Sequence, residues 1–224
     1  MDNLSIVDSS LKVLQVNLRH SSLSLHTVLE FSRRHRVAAL LLQDIPHKLR
    51  VGSDLYFGYR RFISHHSDAL TTAILLRRDL QGRVLECPSD RVTGVVVRTS
   101  FGELGLLSGY IQPHTGRGLS DLQAALAVVR RQTPRFLLGL DGNGHSPLWG
   151  PVGTSRNRQG IILEDFFILE RLQILNSPSS PPTFFSDQGH TSWIDITAVS
   201  APLVSHIGSW AVQVGASILI ISRF

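Results

Sequence analysis

The 224-residue sequence contains one cysteine, Cys87, and one methionine, Met1. A lone cysteine excludes a disulfide framework within the chain and any zinc site built from several thiolates, and it suits a reducing compartment. Cys87 itself reads as a small core residue rather than a nucleophile. Lysine is almost missing, found only at Lys12 and Lys48, so arginine supplies nearly all of the 22 basic side chains. Acidic residues number 17, which leaves a formal charge of +5. Such a balance points to polyanionic partners. No apolar run is long enough to span a bilayer, and Met1–Ser5 shows no signal-peptide pattern, so no membrane partner is expected. No repeat recurs at solenoid spacing. With 42% hydrophobic and 17% charged residues, the chain can build a substantial core.

What is present is a series of apolar runs that end in polar residues. Leu137-Leu138-Gly139-Leu140 reads as a buried strand and gives way to Asp141-Gly142-Asn143-Gly144-His145-Ser146-Pro147. Asp141 and Asn143 are two apart, so continued strand geometry puts them on one face. A carboxylate beside a carboxamide can hold a water and an anionic oxygen. Taken alone, the same string reads more readily as a turn. The pattern recurs. Asn17 ends the strand pattern Leu11–Leu18, Asp44 follows Val37–Leu42, Tyr110 lies near the end of Leu104–Ile111, and Asp195 sits in Ser192–Thr197. Each has an ordinary alternative: a turn residue, a cap, a core phenol, an outward-facing strand residue. Gathered at one end of a sheet sandwich, they would build a site.

Helices are predicted over Ser22–Phe31, running into the basic Arg33-Arg34-His35-Arg36; over Leu119–Arg131, with Ser120 as N-cap; and over Ile161–Leu169. Further strands are predicted over residues 56–63, 71–76, 92–98, 172–176 and 216–221, with a hairpin joining 92–98 to 104–111. Residues 183–185 are predicted to pair with 192–197. The expectation is an α/β fold: a four-layered α/β sandwich with two mixed, mostly antiparallel sheets. Residues 1–10 form a leader and 11–224 a single domain; the Pro/Ser stretch 177–182 is too short to be a domain linker.

The ordered strings Leu14-Gln15-Val16-Asn17, Leu42-Gln43-Asp44-Ile45-Pro46, Ser108-Gly109-Tyr110-Ile111-Gln112-Pro113, Asp141-Gly142-Asn143-Gly144-His145-Ser146-Pro147-Leu148-Trp149-Gly150, Pro182-Thr183-Phe184 and Ser192-Trp193-Ile194-Asp195 resemble the endonuclease/exonuclease/phosphatase superfamily. The Asn-x-His-Ser-x-Leu-Trp-Gly string with the later Ser-Trp-Ile-Asp is similar to the apurinic-type endonuclease domain of non-LTR (LINE-type) retrotransposons. That resemblance implies metal-assisted phosphodiester hydrolysis that nicks DNA and leaves a 3′-hydroxyl to prime reverse transcription. It implies Mg2+ (or Mn2+) as cofactor, with Asn17 and Asp44 at the metal. Asp141 would activate water, Asn143 would hold the phosphate or the water, Tyr110 would donate to the phosphate, and Asp195 would steer a histidine. Arg19, His20, His114, His145, Arg156, Arg158, Thr183 and Ser192 would face DNA. The implied setting is the nucleus, with a double-stranded DNA target, a larger polyprotein that includes a reverse transcriptase, and a monomeric isolated domain.

The chain departs from the family's pattern at two points. Asp44 stands where the family has a glutamate, a methylene shorter. The family's terminal Ser-Asp-His is missing, since Ser217 is followed by Ile218. His190 and His206 are the late histidines that could stand in. The expectation is therefore a domain truncated or altered at its C-terminal end, with activity weakened or lost. The alternatives are a non-catalytic DNA-binding remnant and another phosphoesterase of the superfamily.

Overall fold

The computed structural model describes residues 10–186 and 188–213 and the backbone of residues 216–221. The expected leader lies outside the described residues apart from Ser10. The first half runs β1 (Leu11–Asn17), α1 (Ser22–Arg34), β2 (Ala39–Gln43), α2 (His47–Val51), β3 (Leu55–Tyr56), β4 (Tyr59–Phe62), β5 (Thr72–Arg77) and β6 (Gly82–Val84). Then come β7 (Val92–Thr99), β8 (Gly102–Tyr110), α3 (Leu119–Gln132), β9 (Phe136–Asp141), α4 (Arg158–Leu169) and β10 (Leu172–Ile174). The remainder is β11 (Phe184–Phe185), β12 (Thr191–Ser192), β13 (Asp195–Ser200), α5 (Ala201–Val204), β14 (Ile207–Gln213) and β15 (Ala216–Ile221).

Two sheets face each other, in the orders β14-β15-β1-β2-β5-β4-β3 and β10-β13-β9-β8-β7-β6, with β11 and β12 as a separate hairpin. Each large sheet has one parallel pair, β1 with β2 and β8 with β9. A parallel pair needs a crossover, and α1 and α3 supply them. Ser21 caps α1 by accepting from the Ser24 N–H, and Arg33 and Arg34 fill its last turn. Apolar layers fill the three gaps. Leu25 and Leu29 pack α1 on the first sheet, Leu41 and Ile74 meet Leu106 and Leu137 between the sheets, and Leu126 and Phe167 pack α3 and α4 on the second. The four-layered sandwich expected from the sequence is the observed fold.

The gap between the sheets changes character along the strands. Alternate residues face it: Val13, Gln15 and Asn17 on β1; Leu106, Ser108 and Tyr110 on β8; Leu137, Gly139 and Asp141 on β9; and, in reverse, Val199, Thr197 and Asp195 on β13. One end is hydrocarbon. The middle is neutral and polar: Gln43 Nε2 donates to Ser108 Oγ at 2.8 Å, and Thr197 Oγ1 to Gln15 Oε1 at 2.9 Å. The other end carries the carboxylates. Gly139 permits the close approach in the middle, since a Cβ there would lie 2.9 Å from Leu41 Cδ1 and 3.0 Å from Gln15 Cδ.

Four details differ from the sequence prediction. Residues 56–63 are not one strand, because Phe57 and Gly58 take φ of 44° and 94° and fold them into the β3-β4 hairpin. Residues 183–185 do not pair with all of 192–197: β11 pairs only with β12, and β13 joins the second sheet beside β9. Helix α3 is capped by Gly118 at φ 108°, with Ser120 inside the first turn. A Cβ at Gly118 would lie 2.4 Å from the Tyr110 carbonyl. Helix α4 begins at Arg158, three residues before the predicted start, because Asn157 caps it.

Candidate active site

The parallel pairs end together, and ligand sites in such sheets lie at the carboxyl ends of the strands. Asp141 ends β9, level with Tyr110 on one side and Asp195 on the other. Asn17 ends β1 level with Gln43, and the next residue, Asp44, turns off the strand at φ 45°. That left-handed turn brings the Asp44 carboxylate beside Asn17. Asn17 Nδ2 donates to Asp44 Oδ2 at 3.1 Å and to Asp141 Oδ2 at 2.6 Å. Asn17 Oδ1 accepts from the Arg19 N–H at 2.8 Å. The amide thus bridges two carboxylates from different sheets. The structure brings together five of the six residues expected at the catalytic and metal positions, Asn17, Asp44, Tyr110, Asp141 and Asp195, while Asn143 meets Asp141 through its backbone and turns its side chain to the Ile111 carbonyl.

The electrostatics follow from burial. Asp141 is 1% exposed and Asp195 6% exposed, and each leaves Oδ1 without a hydrogen-bond partner. Burial, then the charges of Asp195 and Asp44, push the Asp141 carboxyl well above the usual range. Burial also lifts Asp195, to about 7, against the Thr183 hydroxyl that holds it down. Burial, Asp44 and Asp141 raise the Tyr110 phenol to about 12, so it stays a neutral donor.

Among the described residues, no three His, Cys, Asp or Glu side chains gather into a metal-holding group. A Mg2+-type cation commonly takes one or two protein carboxylates and completes its shell with water and phosphate oxygens. Asp44 with Asn17 beside it, next to two buried carboxylates with open oxygens, fits such a hard cation.

The string after Asp141 is held as a scaffold. Gln159 Nε2 donates to the Gly142 carbonyl at 2.5 Å, and Trp149 Nε1 to the Gly144 carbonyl at 3.0 Å. Ser146 Oγ donates to Glu164, which also takes Arg156 Nε at 2.8 Å. Asn157 Oδ1 accepts from the N–H groups of His145 and Gly160 at once, tying the loop to the start of α4. These ties hold Asn143, at φ 49°, at the mouth of a cleft of about 360 Å³ shared with His114 and Arg158. On the other side, Asn17 and Asp195 line a cleft of about 510 Å³ with Arg19 and Phe184.

A family model described as endonuclease-reverse transcriptase matches residues 104–217, half of the chain. The chain belongs to that family. This endonuclease domain is 24% identical over 156 residues to the Pol polyprotein of the type-1 retrotransposable element R1 of Bradysia coprophila, spanning 66% of the chain but only 15% of that polyprotein. The endonuclease domain of TRAS1, a telomere-specific non-LTR retrotransposon, shares its fold at a TM-score of 0.79 and 23% identity, over 96% of this chain and 99% of the other. An AP endonuclease from Archaeoglobus fulgidus does so at 0.63 and 12% identity, over 95% and 100%. The chain is thus a domain of the endonuclease/exonuclease/phosphatase superfamily, similar to the endonuclease domains of retrotransposons, and the nucleases of that superfamily generally depend on a divalent metal.

The outer residues of the endonuclease domain fall into two groups. Arg19, His20, His114, His145, Arg156 and Arg158 are exposed around the site. His20 Nε2 lies 3.8 Å from Asp44 Oδ1, and Arg156 is tied to Glu164. Thr183 was expected to face DNA, but it is buried and its hydroxyl accepts from the Asp195 N–H at 3.1 Å. It supports the start of β13 instead. Ser192, half-buried, gives its carbonyl to the Thr183 N–H at 3.0 Å. Asn143 Nδ2 is turned to the Ile111 carbonyl at 3.1 Å. His206 does not approach the site: it packs on Phe101 in the β7-β8 turn, the far end of β8 from Tyr110. His190 is exposed on the β11-β12 hairpin.

Sequence reasoning assigned no role to Gln15, Gln43, Asn157, Gln159 or Glu164. For Gln15 and Gln43 a signal existed: each stands at an inward position of an otherwise apolar strand, one of them two before Asn17 and the other directly before Asp44.

Proposed function

We propose that this domain nicks one strand of double-stranded DNA by hydrolysis assisted by Mg2+ or Mn2+, and leaves a 3′-hydroxyl. In the nucleus that hydroxyl would prime the reverse transcriptase of a larger polyprotein. The observation that carries this reading is the meeting of Asn17, Asp44, Asp141 and Asp195 at one end of the interlayer, with buried carboxylate oxygens left open.

Asp44 and Asn17 would hold the cation. When bound, it neutralises charge that builds on the phosphate. Asp141, raised above the ordinary carboxylate range, takes a proton from water as the water oxygen bonds to phosphorus. The bond from phosphorus to the 3′ oxygen breaks, and that oxygen leaves with the electron pair and takes a proton from solvent. Tyr110 donates a hydrogen bond to a non-bridging oxygen without losing its proton. The clefts on either side of the cluster give the strand a path across it.

The test is conversion of supercoiled plasmid to open circles with Mg2+, Mn2+ or chelator. Metal-dependent nicking that disappears in Asp141→Ala is the expected result. A second reading, a DNA-binding remnant, draws on β15: its residue opposite Gln15 is Ser217, and neither Asp nor His follows on the strand. Salt-sensitive binding without nicking under every metal would select that reading.

A further inference from the structure

We propose that Gln159 is a positioning residue for Asp141, acting through the single peptide unit that joins Gly142 to Asn143. Gln159 is buried in the first turn of α4, and its Nε2 donates to the Gly142 carbonyl at 2.5 Å. A peptide unit is planar, so the oxygen that accepts from Gln159 and the N–H of Asn143 belong to one rigid group. That N–H meets the Asp141 carboxylate. The path thus runs from side-chain amide to peptide to carboxylate. Donation into the carbonyl also strengthens the N–H as a donor, because hydrogen bonds in series polarise one another in a low-dielectric interior.

The surroundings fix that peptide. The Gly142 N–H donates to the Ile194 carbonyl at 2.9 Å, directly before Asp195. A Cβ on Gly142 would lie 2.9 Å from Leu163 Cδ1 and 3.0 Å from Ile196 Cδ1, so a bare backbone lets α4 and β13 close on it. Beyond it, Asn143 takes φ 49° and gives Nδ2 to the Ile111 carbonyl at 3.1 Å, while the Ile111 N–H returns to the Asp141 carbonyl at 2.9 Å. Asp141 is therefore held from two sides: by Asn17 Nδ2 from the first sheet, and by the Asn143 N–H from its own loop. Its Oδ1 stays open, and on the nicking reading, on which the kinetic half of this proposal rests, that oxygen takes the water's proton. Gln159 also lines the cleft with His114 and Arg158, but its amide nitrogen is turned to Gly142. It acts on the reaction through Asp141, without touching the substrate.

Two measurements on the whole chain test this. The first follows the Asn143 amide proton by heteronuclear NMR in chelator. Gln159→Met removes the donor at nearly the same length. The proton should move upfield and exchange with solvent about 10-fold faster, the worth of about one hydrogen bond. Asp141→Ala, which removes the acceptor, should move the same proton the same way. Gln159→Glu guards against misfolding of the methionine variant: once ionised at high pH it presents acceptors only, and should give the same shift. An Asn143 proton that stays in place in a folded Gln159 variant overturns the proposal whether or not the domain cleaves. The second is single-turnover plasmid nicking in Mg2+ across DNA concentrations. Gln159→Met should lower the saturating rate by about 10- to 100-fold and leave the half-saturating DNA concentration unchanged. A half-saturating concentration that rises while the saturating rate holds would make Gln159 a wall of the DNA cleft and sink the positioning role. If wild type never nicks but the Asn143 proton shifts in the variant, the proposed function fails and the hold on Asp141 stands.

Discussion

Asn17 Nδ2 donates to Asp141 Oδ2 at 2.6 Å across the gap between the two sheets, joining residues 124 positions apart. The same amide holds Asp44. Asn17→Ala leaves buried carboxylate oxygen without a donor, at a cost of about 1–3 kcal/mol. Urea unfolding in chelator should show that loss. Nicking should fall further than stability accounts for, because Asp44 and Asp141 are no longer held to one donor.

The raised carboxyls set a pH dependence of stability. Asp195 binds its proton up to about 7 in the folded chain, and Asp141 is also raised, whereas unfolded aspartates lose theirs near the ordinary value of 3.8. Between those values the folded state holds more protons, so stability is fully present below about 4 and is lost as pH rises toward 7. In chelator the melting temperature should therefore fall across that window. Asp195→Asn should flatten the fall; an unaltered profile in that variant would show that Asp195 is not its source.

A cation at Asp44 reverses the same penalty. Adding Mg2+ or Mn2+ near pH 7 should raise the melting temperature in proportion to the logarithm of metal concentration above the dissociation constant. Asp44→Ala should abolish the rise. Asp44→Glu tests whether the longer carboxylate improves affinity, since only its reach changes.

Gly139→Ala should destabilise by about 1–3 kcal/mol through overpacking. Its new Cβ would meet the ends of the Leu41 and Gln15 side chains, both of them buried. Denaturant unfolding measures the cost, and the polar contacts of Gln15 and Gln43 make the neighbourhood hard to relax.

The strands and their outward limits were legible in the residues, because Leu11–Leu18 alternates and Leu137–Leu140 is an apolar run that stops at Asp141. What the alternation could not show was the turn at Asp44, whose direction depends on a left-handed φ rather than on polarity. Nor could it separate β12 from β13. The break at Trp193-Ile194 comes from tertiary partners: Trp193 Nε1 donates to Ser180, and the Ile194 carbonyl accepts from Gly142. β6 and α2 are too short to carry a periodic signal, and β6 exists because β7 offers it a partner. The scaffold behind Asn143 was hidden for a similar reason. Glu164 and Gln159 lie on a helix whose amphipathic pattern says nothing about which loop it will tie down.

The graded gap between the sheets separates what keeps the domain folded from what would let it act. Hydrocarbon at one end holds the layers together, while the opposite end concentrates charge that works against the folded state. A neutral replacement at a repelling carboxylate such as Asp195 would silence chemistry and leave the sandwich standing, or firmer. Catalytic competence and structural integrity can then be lost separately, and an inert variant can persist as a well-folded protein.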